Sequence, residues 1–363
     1  MVPVSRLRWL LIVLVALSAC SNLGVPSATL TPTVAPTPTA TPSPTPEPAV
    51  DAFTMNQKLA RTVNIGNALE APTEGEWGVT IKDEYFQIIH EAGFTAVRLP
   101  VRWSAHALKE APYTIDHAFF ERVDHVVKQA LSQGLTVIVN VHHYEEMALD
   151  AKGHQARFVA IWQQIAEHYK YYPNGLLFEP MNEPNGAVVA SVWNKLLEAT
   201  LPVIRSTNPT RNIVIGPADW NDLRGLDELV LPADDQHIIV TFHYYQPFQF
   251  THQAAEWVQG SASWLGTEWK ATSAEKQSVQ YDFKIVATWA KQNHRPIFLG
   301  EFGAYSKADM DSRARWTSFI AREAEKQGFS WSHWEFCSGF GVYDPNNNKW
   351  IEPLLKALIP NSP

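Results

Sequence analysis

The chain has 363 residues, of which 45% are apolar, 12% aromatic and 18% charged. This composition supplies a large buried core and excludes disorder throughout or a fibrous repeat, while two cysteines exclude a disulfide scaffold. Lysine and arginine number 29 against 37 acidic residues, a net charge of −8, and no basic stripe interrupts the sequence. Because phosphate binding depends on clustered cations, we expect no nucleic-acid partner.

Residues 1–20 have the pattern of a secretion signal. Two arginines precede an apolar run of nine residues, which is too short to span a bilayer comfortably. The tetrapeptide that ends at Cys20, LSAC, resembles a bacterial lipobox, in which the cysteine becomes the lipidated first residue. We therefore predict a secreted protein that is lipid-anchored to the cell surface through Cys20 and touches the membrane only there. An ordinary signal peptide that contains a cysteine is the alternative.

Residues 21–48 differ sharply in composition from the rest of the chain. The stretch 27–48 holds seven prolines and seven threonines, with no apolar side chain larger than leucine or valine. Proline keeps the backbone extended and such a segment cannot bury a core, so we predict a spacer. The remaining residues, 49–363, form one predicted globular domain.

The domain alternates short apolar runs with longer amphipathic stretches, eight times in all. Strands alternating with helices imply parallel pairing, and eight such units favour a closed (β/α)8 barrel. An open doubly wound sheet is the alternative, but residues 61–72 lack the glycine-rich turn that follows its first strand. The predicted strands are 61–67, 94–99, 135–142, 176–182, 212–216, 237–243, 296–301 and 329–335. The predicted helices include 80–92, 116–133, 154–172, 188–207, 275–293 and 309–327.

Polar and aromatic side chains gather at the ends of these apolar strands. A barrel carries its chemistry at the carboxyl ends of its strands, so residues from distant parts of the chain are expected to meet there. One histidine or arginine at a strand end is more often structural, and only the coincidence of several indicates a site. The residues are Asn67, Arg98, His142, His143, Asn182, Glu183, His243, Tyr245, Glu301 and Trp334.

Two carboxylates carry most of the functional prediction. Glu183 ends the fourth predicted strand and Glu301 the seventh, which places both at the barrel mouth. Glycoside cleavage with retention needs one protonated and one ionised carboxyl group at about 5–5.5 Å. Arg98 is a candidate to hold one of them ionised, because a nearby cation favours the charged form. The alternative is that both glutamates only form ion pairs at the rim.

Residues 55–358 resemble glycoside hydrolase family 5, a group of retaining (β/α)8 barrels. The resemblance is carried by six motifs in the family's order: VRLP at 97–100, VHHY at 141–144, MNEP at 181–184, FHYY at 242–245, GEFG at 300–303 and SHW at 332–334. Two further stretches, NIGNALEAP at 64–72 and WGVTIKDEYF at 77–86, are similar to the branch of thermophilic endoglucanases with mannanase side activity.

The resemblance implies roles for the strand-end residues of the 49–363 catalytic domain. Glu183 would be the acid/base and Glu301 the nucleophile of a double displacement, and Trp334 would form the platform under the sugar. Four residues would support them: Arg98 below the nucleophile, Asn182 on the sugar 2-hydroxyl, His243 near Glu183, and Tyr245 donating to Glu301.

Further substrate contacts follow from the same branch. It implies contacts from His142, His143, Asn67 and Glu70, and from two tryptophans, Trp220 and Trp257. For His143 the prediction depends on where the third strand ends, because adjacent strand residues point to opposite faces. The tryptophans of the long insertion 246–274 could instead only hold that loop in place. Four others lie in helical patterns and are predicted to pack: Trp162, Trp193, Trp289 and Trp316.

Two rival functions fit the same residues less well. A metal hydrolase could use the segment HHYEE at 142–146 with His154, but adjacent histidines on one strand point to opposite faces, and zinc-type spacing is missing. We therefore expect no metal and no cofactor. A non-catalytic carbohydrate-binding surface lipoprotein is disfavoured because both glutamates are present together with Asn182 and Tyr245.

The sequence therefore predicts a monomeric, endo-acting, retaining β-glycanase whose partner is a β-linked polysaccharide. We expect β-1,4-glucan or glucomannan as substrate, and an endo-β-1,4-mannanase is the alternative. Residue types alone do not separate them, since glucose and mannose differ in the orientation of one hydroxyl group.

Overall fold

Eight parallel strands close into a barrel in the computed structural model of the protein, which describes residues 47–361. Closure is completed where the first strand pairs with the last, Thr62 opposite Ser332. The closed ring confirms the (β/α)8 prediction over the open sheet. The barrel strands are β1 (Arg61–Asn64), β2 (Ala96–Leu99), β3 (Thr136–Asn140), β4 (Leu176–Glu179), β5 (Ile213–Ile215), β6 (Ile238–His243), β7 (Ile297–Phe302) and β8 (Ser330–His333). A two-stranded sheet follows, β9 (Tyr343–Asp344) with β10 (Lys349–Trp350).

Helices surround the barrel, and the six predicted ones are confirmed with ends that differ by up to four residues: the third and the fifth of them begin three and two residues earlier than predicted. The helices are α1 (Ala52–Leu59), α2 (Glu84–Glu91), α3 (His117–Ser132), α4 (Glu145–Leu149), α5 (Ala151–His168), α6 (Ala190–Thr207), α7 (Ala218–Asn221), α8 (Phe248–Thr251), α9 (Ser273–Asn293), α10 (Met310–Lys326) and α11 (Glu352–Leu358). Short 3-10 turns occupy Trp103–His106, Leu223–Glu228 and Ser261–Trp264. The four tryptophans predicted to pack, Trp162, Trp193, Trp289 and Trp316, are buried.

Helix α3 shows how the sequence determines these elements. The side chain of Asp116 accepts a hydrogen bond from the backbone N–H of Phe119 and caps the helix start. The buried face of the helix repeats at helical spacing, and Gly134, at φ 77°, takes the left-handed conformation that ends it. The buried residues are Val123, Val126, Val127 and Ala130.

Five of the eight predicted strands extend too far at their carboxyl ends, whereas β2 and β6 end as predicted and β7 runs one residue further. β4 ends at Glu179 rather than at 182, and β3 ends at Asn140, so Glu183, His142 and His143 lie in loops beyond their strands. The apolar pattern misleads here because it continues into loop residues that are themselves buried, such as Val141 and Met181. Glu183, which was expected at the end of the fourth strand, therefore lies in a loop four residues after β4 ends.

Helix α1, which the sequence analysis did not single out, closes the amino end of the barrel. Its apolar side chains Ala52, Met55 and Leu59 pack against an inner layer of strand residues. Asn56 ties the helix to β7 by donating to the carbonyl of Ile297 at 3.0 Å. The inner layer comprises Ala96, Ile138, Leu177, Val214, Ile239 and Phe298. With this end filled, the carboxyl ends of the strands are left for a site.

The predicted signal, Cys20 and most of the predicted spacer lie outside the described residues. The last two spacer residues, Glu47 and Pro48, accept hydrogen bonds from Asn174 at 2.9 and 2.8 Å. Among residues 47–361, none of the helices combines the length and apolar character that crossing a bilayer requires.

Candidate active site

A cavity of about 1000 Å³ opens at the carboxyl ends of the barrel strands. It gathers residues from the loops that follow β1, β3, β4, β5, β6, β7 and β8. Of the sequence-predicted site residues, the structure brings these to its wall: Asn67, His142, His143, Asn182, Glu183, Trp220, His243, Tyr245, Trp257, Glu301 and Trp334.

Arg98 lies beneath this cavity as the centre of a buried hydrogen-bond network. Alternation along β2 places it on the same inward face as Ala96, and its side chain is fully buried. Its Nη1 donates to Glu301 Oε1 at 2.7 Å and to Asn64 Oδ1 at 2.8 Å, while Nη2 donates to Asn182 Oδ1 at 2.6 Å. One guanidinium therefore orients two residues of the cavity floor and supplies them with positive charge.

Glu301 lies on β7 with 4% of its surface exposed. Tyr245 donates its hydroxyl to Glu301 Oε2 at 2.9 Å, opposite the bond from Arg98. Burial raises the pKa of Glu301, and the nearby His243 and Arg98 oppose that rise. One donor on each oxygen fixes the position of this carboxylate, and both hydrogen bonds favour its ionised form.

Glu183 projects into the cavity from the loop after β4, at φ 46°. Its Oε1 lies 2.7 Å from Nδ1 of His243, and a quarter of its side chain is exposed. Burial raises the pKa of Glu183 to about 7; Arg98 opposes this rise and Glu179 adds to it. Burial also lowers the pKa of His243 to about 4. At neutral pH the imidazole is therefore uncharged, and its contact with Glu183 is a hydrogen bond.

The two carboxylates meet over the barrel. One oxygen of Glu183, one of Glu301 and a ring nitrogen of His243 all lie within 4.8 Å of one another. This separation matches the short spacing of retaining glycosidases, about 5–5.5 Å, rather than the 6.5–9.5 Å of inverting ones. A divalent cation could also bridge these three atoms, but it would have to displace the Arg98 and Tyr245 donors and lie beside a guanidinium.

Both histidines after β3 line the cavity because the strand has already ended. His142 is buried, and its Nδ1 accepts a hydrogen bond from the side-chain amide nitrogen of Asn140 at 3.0 Å. Its ring stacks parallel to Trp334, with ring centroids 5.8 Å apart. His143 is exposed and takes a left-handed φ of 47°, which turns its ring edge-on to Trp77 at 5.4 Å. Because the backbone changes direction after β3, both adjacent histidines face the cavity, which strand alternation would not allow.

Three tryptophans offer ring faces around the carboxylate pair. Trp220 is 55% exposed and Trp257 61% exposed, although both are large aromatic side chains. Trp334 is partly exposed beside His142. Within the insertion, Trp257 meets Tyr305 edge-on at 4.9 Å, so that loop is held in place and also presents a ring to the cavity. Exposed rings in a concave surface suit the apolar faces of sugars.

Glu70 was expected to contact substrate, and the structure corrects this expectation. Its side chain is fully buried, and its carboxylate accepts the backbone N–H groups of Asn67 and Ala68, the latter at 2.9 Å. It therefore shapes the loop that carries Asn67 to the cavity, at φ 62°, instead of reaching into the cavity. The motif identified the residue, but the side chain folds back onto its own loop.

Several residues of the site were not predicted. Glu335 holds the loop after β8 by accepting the backbone N–H groups of Cys337 and Ser338 at 2.8 and 2.7 Å. Trp77, which also lines the cavity, lies in the stretch 77–86 that carries the branch resemblance, so the sequence could have indicated it. Neither composition nor motif spacing indicates the other unpredicted residues. Further unpredicted members of the cavity wall are His252, Tyr305 and Phe340.

Comparison with known proteins agrees with this geometry. The cellulase model of glycosyl hydrolase family 5 matches residues 59–339. Endoglucanase H of Acetivibrio thermocellus is 41% identical over 317 residues, covering 86% of this chain and 34% of that protein. This chain thus spans about a third of that relative's length.

Solved structures of Thermotoga maritima Cel5A are similar as well. Its complex with mannotriose shares 52% identity and a TM-score of 0.84, covering 85% of this chain and all of that one. A Cel5A structure described as a complex with cellobiose has the same identity, TM-score and coverage.

Proposed function

The chain belongs to glycoside hydrolase family 5, and from that membership we propose that it is an endo-acting, retaining β-glycanase cleaving β-1,4-linked glucan and glucomannan. The observation that carries the proposal is the pairing of Glu183 and Glu301, with carboxylate oxygens within 4.8 Å of one another in an open cavity. An open cavity lined by aromatic rings suits attack within a polymer.

In the first step Glu301 acts as nucleophile. An electron pair of its carboxylate forms a bond to the anomeric carbon, and the bond from that carbon to the glycosidic oxygen breaks. Glu183, protonated because burial raises its pKa to about 7, transfers its proton to the departing oxygen. The products are a glycosyl ester on Glu301 and a chain fragment with a new hydroxyl group.

In the second step Glu183 acts as base. It removes a proton from water, the water oxygen attacks the anomeric carbon, and the ester bond to Glu301 breaks. Two inversions restore the starting configuration. Arg98 and Tyr245 stabilise the carboxylate that is regenerated, and His243 orients Glu183 through its 2.7 Å bond.

Substrate choice is proposed from the relatives. The similar structures of Thermotoga maritima Cel5A are complexes with cellobiose and with mannotriose, one ligand from each sugar class. An endo-β-1,4-mannanase with the same mechanism is therefore the second candidate. Initial rates on carboxymethyl cellulose, mixed-linkage glucan, glucomannan and galactomannan separate the two: the proposal requires the glucan rates to exceed the galactomannan rate.

The experiment that tests the function compares the wild type with Glu301→Ala on soluble mixed-linkage glucan. The proposal predicts loss of nearly all hydrolysis, and Glu352→Ala, at an exposed ion pair with Lys356, serves as the control that keeps its activity. Equal rates for wild type and Glu301→Ala would contradict the nucleophile assignment. Binding of the polymer without hydrolysis by the wild type would instead support the carbohydrate-binding lipoprotein.

We also propose that the protein is exported and anchored by lipid on Cys20. The support is the sequence pattern of residues 1–20 alone. Labelling cells with a radioactive fatty acid tests it: the wild type should carry label and Cys20→Ser should not. Equal labelling of both would refute the anchor.

A further inference from the structure

A second carboxylate, Glu179, shares the guanidinium that holds the proposed nucleophile. It is the last residue of β4, fully buried on the inward face, and lies beside Asn140 of β3 in the sheet. Its Oε2 accepts from Nε of Arg98 at 2.6 Å and its Oε1 from Nη2 at 2.7 Å. The two bonds form a bidentate pair, which fixes both the position and the plane of the guanidinium.

The remaining donors of Arg98 point to the residues of the proposed reaction. With Nε and Nη2 held by Glu179, Nη1 faces Glu301 and Nη2 also reaches Asn182. Without that partner the guanidinium could rotate about the side-chain bonds of the arginine. Misplacing a catalytic group by about 1 Å can lower the rate on the order of 100-fold. We propose that Glu179 is a positioning residue that acts through Arg98, setting the place and charge of the floor beneath Glu183 and Glu301.

The proposal rests on the proposed function and deepens it. Glu179 lies outside the cavity wall and touches no substrate, so its effect passes through Arg98 and through its own negative charge. That charge raises the pKa of Glu183, in addition to burial and against Arg98. Removing it should lower the pKa of Glu183 and leave the acid deprotonated at a lower pH.

Every charged or titratable group around Glu183 bears on this expectation. In Glu179→Gln the groups other than Glu179 are unchanged. The change in the pKa of Glu183 therefore measures the loss of the Glu179 charge together with any movement of Arg98. The groups beside Glu183 are Arg98 from β2, His142 and His143 from the loop after β3, Glu179 from β4, His243 and Tyr245 from β6 and its loop, and Glu301 from β7. The same cavity wall also carries Asp219, Asp222, Arg224, Tyr244, His252, Asp282 and Tyr305.

The test uses two substitutions in the full chain. Glu179→Gln keeps the shape and removes the charge, while Glu179→Asp keeps the charge and shortens the reach to Arg98. The matched control is Asp235→Asn, which breaks a similar bidentate pair with Arg205, at 2.7 and 3.1 Å, before the amino end of β6. Activity is measured below the unfolding temperature of each variant.

Two readouts decide the matter. In Glu179→Gln, kcat should fall about tenfold or more with KM little changed, and the alkaline limb of the pH profile should move down by about one unit. In Glu179→Asp, kcat should fall while the alkaline limb stays in place. Asp235→Asn should keep both the wild-type limb and the wild-type kcat.

Carbon-13 NMR titration of the Glu183 carboxyl, assigned with Glu183→Gln, gives the same pKa without turnover. A wild type that hydrolyses no polysaccharide would contradict the proposed function, while this titration would still test Glu179. An unchanged Glu183 pKa in Glu179→Gln would overturn the proposal. If that variant does not fold, a wild-type kcat in Glu179→Asp would overturn it instead.

Discussion

The Nδ1 atom of His243 lies 2.7 Å from Oε1 of Glu183, and Nε2 of the same ring lies 3.2 Å from the side-chain nitrogen of Asn221. Both ring nitrogens are thus engaged, and burial keeps the imidazole neutral by lowering its pKa to about 4. A neutral neighbour leaves the proton on Glu183, whose own pKa is raised to about 7. The proposed acid function of Glu183 therefore has a pH limit that can be measured.

The first prediction concerns that limit. The rate should fall as pH rises through about 7, because Glu183 must hold a proton to protonate the leaving oxygen. In Glu183→Gln the alkaline limb should disappear and substrates with poor leaving groups should react at least ~100-fold more slowly. Profiles of kcat/KM against pH for the two proteins check this. An intact alkaline limb in the variant would show that another group sets it.

The second prediction concerns metal ions. Chelation with EDTA should leave the rate unchanged, because the oxygens of Glu301 are engaged by Arg98 and Tyr245 and a guanidinium repels a divalent cation. Activity before and after chelation, with metal analysis of the purified protein, tests this. Loss of activity that added zinc restores would assign the Glu183, His243 and Glu301 cluster to a metal.

The third prediction concerns the exposed tryptophans. Trp220→Ala and Trp257→Ala should each raise KM for the polysaccharide several-fold, since the ring face buries apolar sugar surface worth about 1 kcal/mol. The rate on a short aryl glycoside should change little. Trp264→Ala, in the same insertion but away from the cavity wall, is the control. Unchanged KM in both variants would mean that these rings only hold their loops.

The fourth prediction follows from Glu335, a buried carboxyl whose pKa burial raises from 4.5 to about 7. Between those pH values the folded protein holds a proton that the unfolded chain has released. The free energy of unfolding therefore falls as pH rises, by about 1.4 kcal/mol per pH unit for one such group. Glu335→Gln should lose less stability than the wild type between pH 5 and 7.

Thermal or denaturant unfolding at several pH values measures that difference. Glu198→Gln, at an exposed position on α6, should keep the wild-type pH dependence. If the free energy of unfolding depends on pH in the same way for the wild type and Glu335→Gln, the raised pKa of Glu335 would be contradicted.

The barrel and most of the candidate site were predictable because both follow from short sequence patterns. Eight apolar runs and their polar successors identify the strands and place Glu183 and Glu301 at one end of the ring. Strand ends were less predictable, since buried loop residues such as Val141 continue the apolar pattern. β3 and β4 end where their register pairing ends, with Asn140 opposite Glu179, although buried residues follow both strands.

What sequence reasoning missed depends on where a side chain points. Glu70 was predicted as a substrate contact and Glu335 follows the predicted platform residue Trp334, yet both fold back to accept backbone N–H groups of their own loops. Glu179 lies within an apolar strand, where a carboxylate makes sense only once Arg98 is seen to face it. These pairings join residues far apart in the chain, and spacing alone does not reveal them.

The central claim is that Glu183 and Glu301 act as a retaining pair, and the configuration of the first product tests it most directly. Proton NMR of the anomeric signals, recorded within minutes of adding enzyme to a cello-oligosaccharide, should show the β-anomer forming first and the α-anomer arising later by mutarotation. The α-anomer as first product would mean inversion, and would contradict the mechanism drawn from the 4.8 Å grouping of these carboxylates.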